Sequence, residues 1–153
     1  MTYQDLTEAI AARIAGMWPE RMLYRDFRPA DFQRPSSFLY VTRAEYADAN
    51  LFLVQWTYEA ELELYAATDD YDVESTEALR AGQLAVLSLF GGPSLPVGDR
   101  HVLVQASAET PGPGVAYVRF NASWIDGRPS MEEPAEEAPL MEHFELNVST
   151  EKE

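Results

Sequence analysis

The stretch LFLVQWTYEAELELY, residues 51–65, decides the fold because its side chains alternate in polarity. The even positions carry apolar or aromatic side chains, and the odd positions from 55 to 63 carry polar ones. A period of two is typical of a β-strand whose two faces meet different surroundings. Leu51 and Leu53 make the beginning of the stretch apolar on both faces, so we expect a helix or a partner to cover that end.

Three glutamates, Glu59, Glu61 and Glu63, share the polar face of this strand. Paired carboxylates can serve as the acid and base of a glycosidase. Side chains on the polar face of an amphipathic strand are usually solvated, however, so the pattern favours a surface stripe over a catalytic pair.

Residues 3–17, ahead of these strands, have the spacing of an amphipathic helix. Thr2 and Asp5 suit an N-cap with an acid in the first turn, and Pro19 ends the helix. One face of this helix is apolar and carries Leu6, Ile10, Ile14 and Met17.

Residues 21–27 and 37–43 are predicted to be strands, the second rich in aromatic and β-branched side chains. The segment between them, residues 28–35, holds two prolines and no periodicity, which predicts a loop. Residues 44–50, AEYADAN, are predicted to be a polar connector.

A second helix is predicted after the long strand, capped by Asp72 or Ser75 and ending near Phe90, before Gly91-Gly92-Pro93. One side of it carries Leu79, Gln83, Val86, Leu87 and Phe90. Residues 101–108 and 115–125 are then predicted to form a β-hairpin, with the loop ETPGPG at 109–114.

The C-terminal part has two predicted pieces. Residues 127–140 form an acidic, proline-containing linker, and residues 141–153 form an arm with a short strand in which Phe144, Leu146 and Val148 alternate with polar side chains. This strand is predicted to be an intersubunit arm that pairs with an open sheet edge of a neighbour. A return to the sheet of its own chain is the alternative.

The predicted order of elements is α-β-β-β-α-β-β-linker-β. The simplest packing places both helices on one face of a largely antiparallel sheet, which is an α+β fold. Residues 1–126 are predicted to form one α+β ring-forming domain, followed by the linker and the arm.

Composition limits the partners. The 11 basic and 26 acidic residues give a net charge of −15, which disfavours binding to nucleic acid and to anionic membranes. There is no cysteine, so disulfides and thiolate metal sites are excluded. The chain begins without a signal peptide, which predicts a cytoplasmic location.

Catalytic and metal-binding motifs are weak. Asp69, Asp70, Asp72 and Glu74 are oxygen ligands suited to calcium, but the glycine and distal glutamate of an EF-hand loop are missing. His101 and His143 have no neighbouring ligand motif, and no nucleotide-binding loop or nucleophile elbow is present. The sequence therefore predicts neither an enzyme nor a cofactor.

The order of elements, with a few soft motifs, resembles the tail terminator (tail completion) proteins of tailed phages and prophages. The resemblance covers most of the chain. It is carried by the helix LTEAIAARIAGMW, by Gln33 and Pro35 before SFLYV, by the stretch at 51–65, by the hairpin ending in Asp126-Gly127, and by the closing MEHFELNVST.

The resemblance implies a structural protein that forms a ring, usually a hexamer, at the head-proximal end of the tail tube. Such a ring stops tube polymerisation and meets the tail tube protein and the head–tail connector. It is assembled in the host cytoplasm and stays in the virion, and it uses no catalytic residue or cofactor. DNA passes its lumen only as a repelled passenger, so Glu59, Glu61 and Glu63 are expected on the lumenal wall. The alternative is that they face solvent on the exterior of the ring.

Two other functions stay open at the level of sequence. One is another neck or tail component, such as a head–tail joining protein or a tube-like subunit. The other is a cytoplasmic module that binds a small molecule between sheet and helices.

Overall fold

The computed structural model describes residues 1–71 and 74–129, which form two helices and seven strands. The helices are α1 (Tyr3–Met17) and α2 (Thr76–Leu89). The strands are β1 (Met22–Arg25), β2 (Ser36–Asp48), β3 (Leu53–Tyr65), β4 (Leu95–Val97), β5 (Arg100–Val102), β6 (Val104–Ala108) and β7 (Ala116–Gly127). The α+β class is confirmed, and so is the predicted order α-β-β-β-α-β-β for the described part, which has the short strands β4 and β5 in addition. The predicted linker and last strand lie outside the described residues.

Five strands form the main sheet in the order β1-β2-β3-β7-β6. β1 pairs with β2 in parallel, and the other neighbours are antiparallel. β4 and β5 form a separate two-stranded ribbon that the sequence did not predict, since β4 has only three residues and no measurable period. The predicted strand at 101–108 is divided: its beginning belongs to β5, which pairs with β4, and only Val104–Ala108 forms the predicted hairpin with β7. Gly98 supplies the positive φ of 60° at the turn between β4 and β5.

The predicted connector at 44–50 is wrong. β2 continues to Asp48, and Ala44, Tyr46 and Asp48 pair with Tyr58, Trp56 and Val54 of β3. Alanine, glutamate and aspartate have low β-propensity, but pairing with the adjacent strand outweighs that preference. The pairing shifts between Val41 and Arg43, where β2 carries a bulge.

The core lies between the sheet and both helices, on the face that carries the even positions of β3. Tyr58 and Leu62 are fully buried there, as the alternation predicted. The helices and β7 contribute Leu6, Ile10, Ile14, Leu79, Val86, Val118 and Phe120 to the same cluster. The opposite face of the sheet is covered by neither helix.

Both helix starts are capped by side chains. In α1, Thr2 and Asp5 form a reciprocal capping box, as predicted. In α2 the cap is Ser75. Further along, the buried Gln83 donates through Nε2 to the carbonyl oxygens of Glu109 and Tyr117, at 2.6 and 2.8 Å. This amide ties α2 to the β6–β7 hairpin.

The apolar end of the 51–65 stretch forms the β2–β3 turn. Leu51 and Phe52 are 68% and 63% exposed, so the predicted cover by a helix is wrong for the described residues. Cover by a partner stays a prediction.

Candidate functional site

The three predicted glutamates lie together on the sheet face that the helices leave uncovered, here called the open face. The neighbouring side chains on β2 and β7 come from Tyr40, Arg43 and Arg119, placed there by the strand pairing. Glu61, in the middle of the stripe, faces Tyr40 on one side and Arg119 on the other.

Glu61 is the best-held carboxylate of the stripe. The hydroxyl of Tyr40 donates to its Oε1 at 2.5 Å, and Nε of Arg119 donates to its Oε2 at 3.1 Å. Its side chain is only 14% exposed. Hydrogen bonds to an ionised carboxylate are roughly twice as strong as neutral ones, so this side chain has a fixed position.

Glu63 lies beside two tyrosine hydroxyls, of which Tyr65 is the donor, since the one proton of Tyr40 goes to Glu61. Its Oε1 lies 3.1 Å from the hydroxyl of Tyr40, and Tyr65 donates to its Oε2. Burial raises the pKa of Tyr40, and the hydrogen bond to Glu61 adds to that rise. Burial and the hydrogen bond to Glu63 raise the pKa of Tyr65 in the same direction. Both hydroxyls therefore keep their protons and remain donors at neutral pH.

Glu59 is more accessible than Glu61. Arg43 lies 3.4 Å from its Oε1 through Nη1 and also pairs with Glu45 on its own strand, and Glu59 is 40% exposed. An exposed pair of this kind contributes at most about 1 kcal/mol.

Repulsion along the stripe is thus reduced by neighbours. The charged side chains that β2, β3 and β7 place on the open face are four carboxylates and two guanidiniums, which leaves a net charge of −2. These residues are Glu45, Glu59, Glu61, Glu63, Arg43 and Arg119. The sequence predicted the glutamates but missed Tyr40, Arg43 and Arg119, whose place follows from strand register.

A cation–aromatic cluster closes one end of the open face and was also missed. The rings of Phe32 and Tyr65 lie 4.6 Å apart, and the guanidiniums of Arg28 and Arg34 lie 4.3 and 4.7 Å from the Phe32 ring. Arg34 also pairs with Glu74, whose side chain is 3% exposed. This cluster fixes the β1–β2 loop against the end of β3.

Within the described residues, the acidic side chains at 69–74 do not converge on a common point that could bind a cation. Glu74 turns toward Arg34 and the backbone N–H of Ala66, while Asp69 accepts from the N–H of Tyr71 at 2.8 Å. Asp72 lies outside the described residues. Within residues 1–71 and 74–129, no group of three histidine, aspartate or glutamate side chains could hold a metal ion.

The two histidines are not brought together as a described site. Nδ1 of His101 lies 3.2 Å from the hydroxyl of Ser94. His143 lies outside the described residues, as do the linker and the predicted arm with Phe144, Leu146 and Val148. The role of the arm stays a prediction.

No protein-family model matches the chain, and no curated protein matches it. Of the helices in the described part, neither is long and apolar enough to cross a membrane.

Proposed function

We propose that the chain is a structural virion protein, a tail terminator whose copies form a ring at the head-proximal end of a phage tail tube. In this role it stops tube polymerisation and joins the tube to the head–tail connector. The observation that carries the proposal is the open face, a polar, net-negative sheet surface three strands wide that the chain's own helices leave uncovered.

The charge arrangement of the open face suits a lumen through which DNA passes. Six copies arranged around a channel would repeat the same net-negative surface, which repels phosphates at a distance. Tyr40 and Arg119 hold the carboxylates in place. DNA could therefore move past this wall without binding to it, because few cationic side chains on the wall are free to bind phosphates.

The test removes the negative charges of the three glutamates but keeps a hydrogen-bond acceptor at each position. In a phage that carries this chain, Glu59→Gln, Glu61→Gln and Glu63→Gln together should leave tail length normal and slow DNA ejection, because the amide oxygens still accept from tyrosine and arginine. Ejection kinetics from purified virions provide the measurement. The matched control removes three negative charges elsewhere, at the exposed Glu20, Glu77 and Asp99, and should not change ejection.

Equal ejection rates for the two triple variants would remove the lumenal assignment. Loss of assembly in the first variant alone would place the stripe at a subunit interface.

Tail length separates the terminator from other neck components. A phage that lacks this chain should produce overlong, headless tubes, whereas headless tubes of normal length would indicate a head–tail joining protein. The small-molecule alternative needs a pocket between sheet and helices. The cavity where Leu89 and Phe90 meet Val104 has a volume of only about 10 Å³, but a groove of about 690 Å³ lies beside α1, β1 and β2. A strictly monomeric protein that binds a metabolite would favour this alternative.

A further inference from the structure

The outer edge of β2, beyond the end of β1, has no strand partner among the described residues. β1 pairs only with Ser36–Leu39, whereas β3 pairs along the other side of β2 as far as Asp48. The side chains of residues 43–48 are all exposed. An edge of this kind is a template for another strand, because its outward backbone groups are left open.

The hydrogen bonds at the β2–β3 turn show which residues have these outward groups. The N–H of Ala49 donates to the carbonyl of Leu53 at 3.0 Å, so the two residues form a hydrogen-bonded pair. Hydrogen-bonded and non-hydrogen-bonded pairs alternate along an antiparallel ladder. In the regular register from 43 to 48, the outward N–H and C=O groups therefore belong to Ala44, Tyr46 and Asp48.

The charged side chains along this edge are paired within the chain. Arg43 pairs with Glu45, and Asp48 accepts from the guanidinium of Arg128 at 2.7 Å. The edge is thus close to neutral, although the whole chain has a net charge of −15. A second copy that approaches this edge meets little of the repulsion that the net charge causes elsewhere.

An exposed tyrosine lies in the middle of the outward positions. Tyr46 is 54% exposed, and its ring lies 5.0 Å from that of Trp56, which stacks on Trp124 at 5.8 Å. This row of three rings crosses β7, β3 and β2 and ends at the outer edge of the sheet. Aromatic cross-strand pairs stabilise a sheet, so another ring beside Tyr46 would extend the row favourably.

We propose that a second copy of the chain covers this edge, with the two β2 strands antiparallel and related by a two-fold axis at Tyr46. In this register Tyr46 lies opposite the partner's Tyr46, and Ala44 lies opposite the partner's Asp48. All three outward positions then form hydrogen-bonded pairs, each with two N–H···O bonds. The two rows of aromatic rings meet at the axis and become one.

Other registers of the same two strands are less favourable. An axis at Glu45 would place two carboxylates directly opposite each other, which is destabilising. An axis at Ala47 would place Ala44 beyond the end of the partner's strand, and an axis at Ala44 would run the pairing into the bulge of β2.

The edge of β6 is the other surface that a second copy could offer. The N–H of Glu109 donates to the carbonyl of Tyr117, so the same alternation gives Ala106 outward backbone groups. A contact between β2 and β6 with three matched pairs would place Tyr46 opposite this alanine. Its ring would gain less cover there than beside a second tyrosine, which favours the β2–β2 pair.

The pairing closes after two copies, because the same edge is used on both. The axis is perpendicular to the sheet, so the two open faces lie on the same side of the joined sheet. A ring would have to form through other surfaces, and the dimer therefore does not rest on the proposed terminator function.

Mixed cysteine variants test the register in the full-length chain, which has no cysteine of its own. Glu45 lies opposite the partner's Ala47 in a non-hydrogen-bonded pair, where Cα atoms are about 4.5 Å apart. Glu45→Cys mixed with Ala47→Cys should thus give a disulfide-linked dimer on a non-reducing gel, and each variant alone should stay mainly reduced. The control mixes Ala47→Cys with Gln105→Cys, which are opposite each other only in the β2–β6 contact, and should also stay reduced.

Proline variants test the same edge without added covalent bonds. Ala44→Pro removes an outward N–H and leaves the bonds between β2 and β3 in place. Sedimentation equilibrium should give a dimer dissociation constant at least ~10-fold higher, because each dimer loses two donors. Ala106→Pro makes the matched change at the edge of β6 and should leave the dissociation constant unchanged. Circular dichroism checks that both variants are folded.

Three outcomes would overturn the proposal: a strictly monomeric parent protein, a disulfide with Gln105→Cys in place of the one with Glu45→Cys, or equal dissociation constants for the two proline variants. The second outcome would identify a head-to-tail contact between β2 and β6. Tail length in a phage that lacks the chain is measured independently of these results, so failure of the dimer and failure of the terminator function are distinguishable.

Discussion

Thr7 and Tyr58 form the buried hydrogen bond that joins α1 to β3, with their oxygens 2.9 Å apart. The direction of this bond follows from counting protons. The hydroxyl of Thr7 has one proton and donates it to the carbonyl of Tyr3, also at 2.9 Å. Tyr58 must therefore be the donor to Thr7, and the acceptor is the more critical of the two partners.

Because Tyr58 donates and Thr7 accepts, removing the two side-chain hydroxyls should lower the free energy of unfolding by different amounts. Thr7→Val leaves the buried Tyr58 hydroxyl without an acceptor and should lower the free energy of unfolding by about 2 kcal/mol, whereas Tyr58→Phe should cost about 1 kcal/mol. Urea unfolding monitored by circular dichroism gives both values. The double variant should be more stable than Thr7→Val alone. A loss for Tyr58→Phe as large as that for Thr7→Val would contradict the proposed direction.

At the residue scale, the sequence predicted which side chains are buried better than it predicted their hydrogen-bond and ion-pair partners. Alternation in 51–65 was enough to assign Tyr58 and Leu62 to the core, since period two alone determines the face. The tyrosine and arginine partners of Glu61 could not be predicted in the same way. They depend on register across two strand pairs, and a one-residue slip in either pair would place those side chains on the other face.

At the element scale, the β2–β3 hairpin shows where local propensity fails. The second half of β2 has the composition of a loop, yet its pairing with β3 extends from Val54 to Glu59. The turn that closes this hairpin is held by Asn50, whose Oδ1 accepts from the N–H groups of Phe52 and Leu53 at 2.9 Å each. Both ends of α1 were predicted to the residue because capping and periodicity are local signals, whereas strand pairing is not.

Asn50→Ala should lower the free energy of unfolding by about 1 kcal/mol, because the turn loses its side-chain acceptor for two N–H groups. Asn50→Asp keeps an acceptor of the same shape and should change stability by less than about half as much. Thermal unfolding of both variants against the parent gives the comparison. Equal losses in the two would show that the turn does not depend on this acceptor.

At the scale of the whole molecule, charge and layering have different consequences. The two-layer packing buries one face of the sheet, and the net charge of −15 makes separate copies repel one another at low ionic strength. Fold class followed from the sequence because alternation and helical periodicity together define the layers. Oligomeric assembly could not be predicted from the sequence in the same way, since it depends on contacts with other copies of the chain.

If copies form a ring, added salt should favour it. Raising ionic strength from about 0.01 M to about 0.1 M shortens the screening length from roughly 30 to 10 Å, which weakens repulsion between acidic copies. Sedimentation velocity at fixed protein concentration should show a larger ring fraction at the higher salt. Salt-induced dissociation would instead mean that ion pairs between copies hold the assembly, and a urea titration at each salt checks that the fold itself is unchanged.

Trp56 and Trp124 face each other across β3 and β7, with ring centroids 5.8 Å apart and planes only 10° from parallel. Tyr46, on the open edge of β2, lies 5.0 Å from the same Trp56 ring. Two indoles at this separation couple their electronic transitions, so the excited state extends over both rings. The protein thus has a built-in chromophore pair at the place where the sheet edge is exposed, and its spectrum depends on whether those three strands stay together.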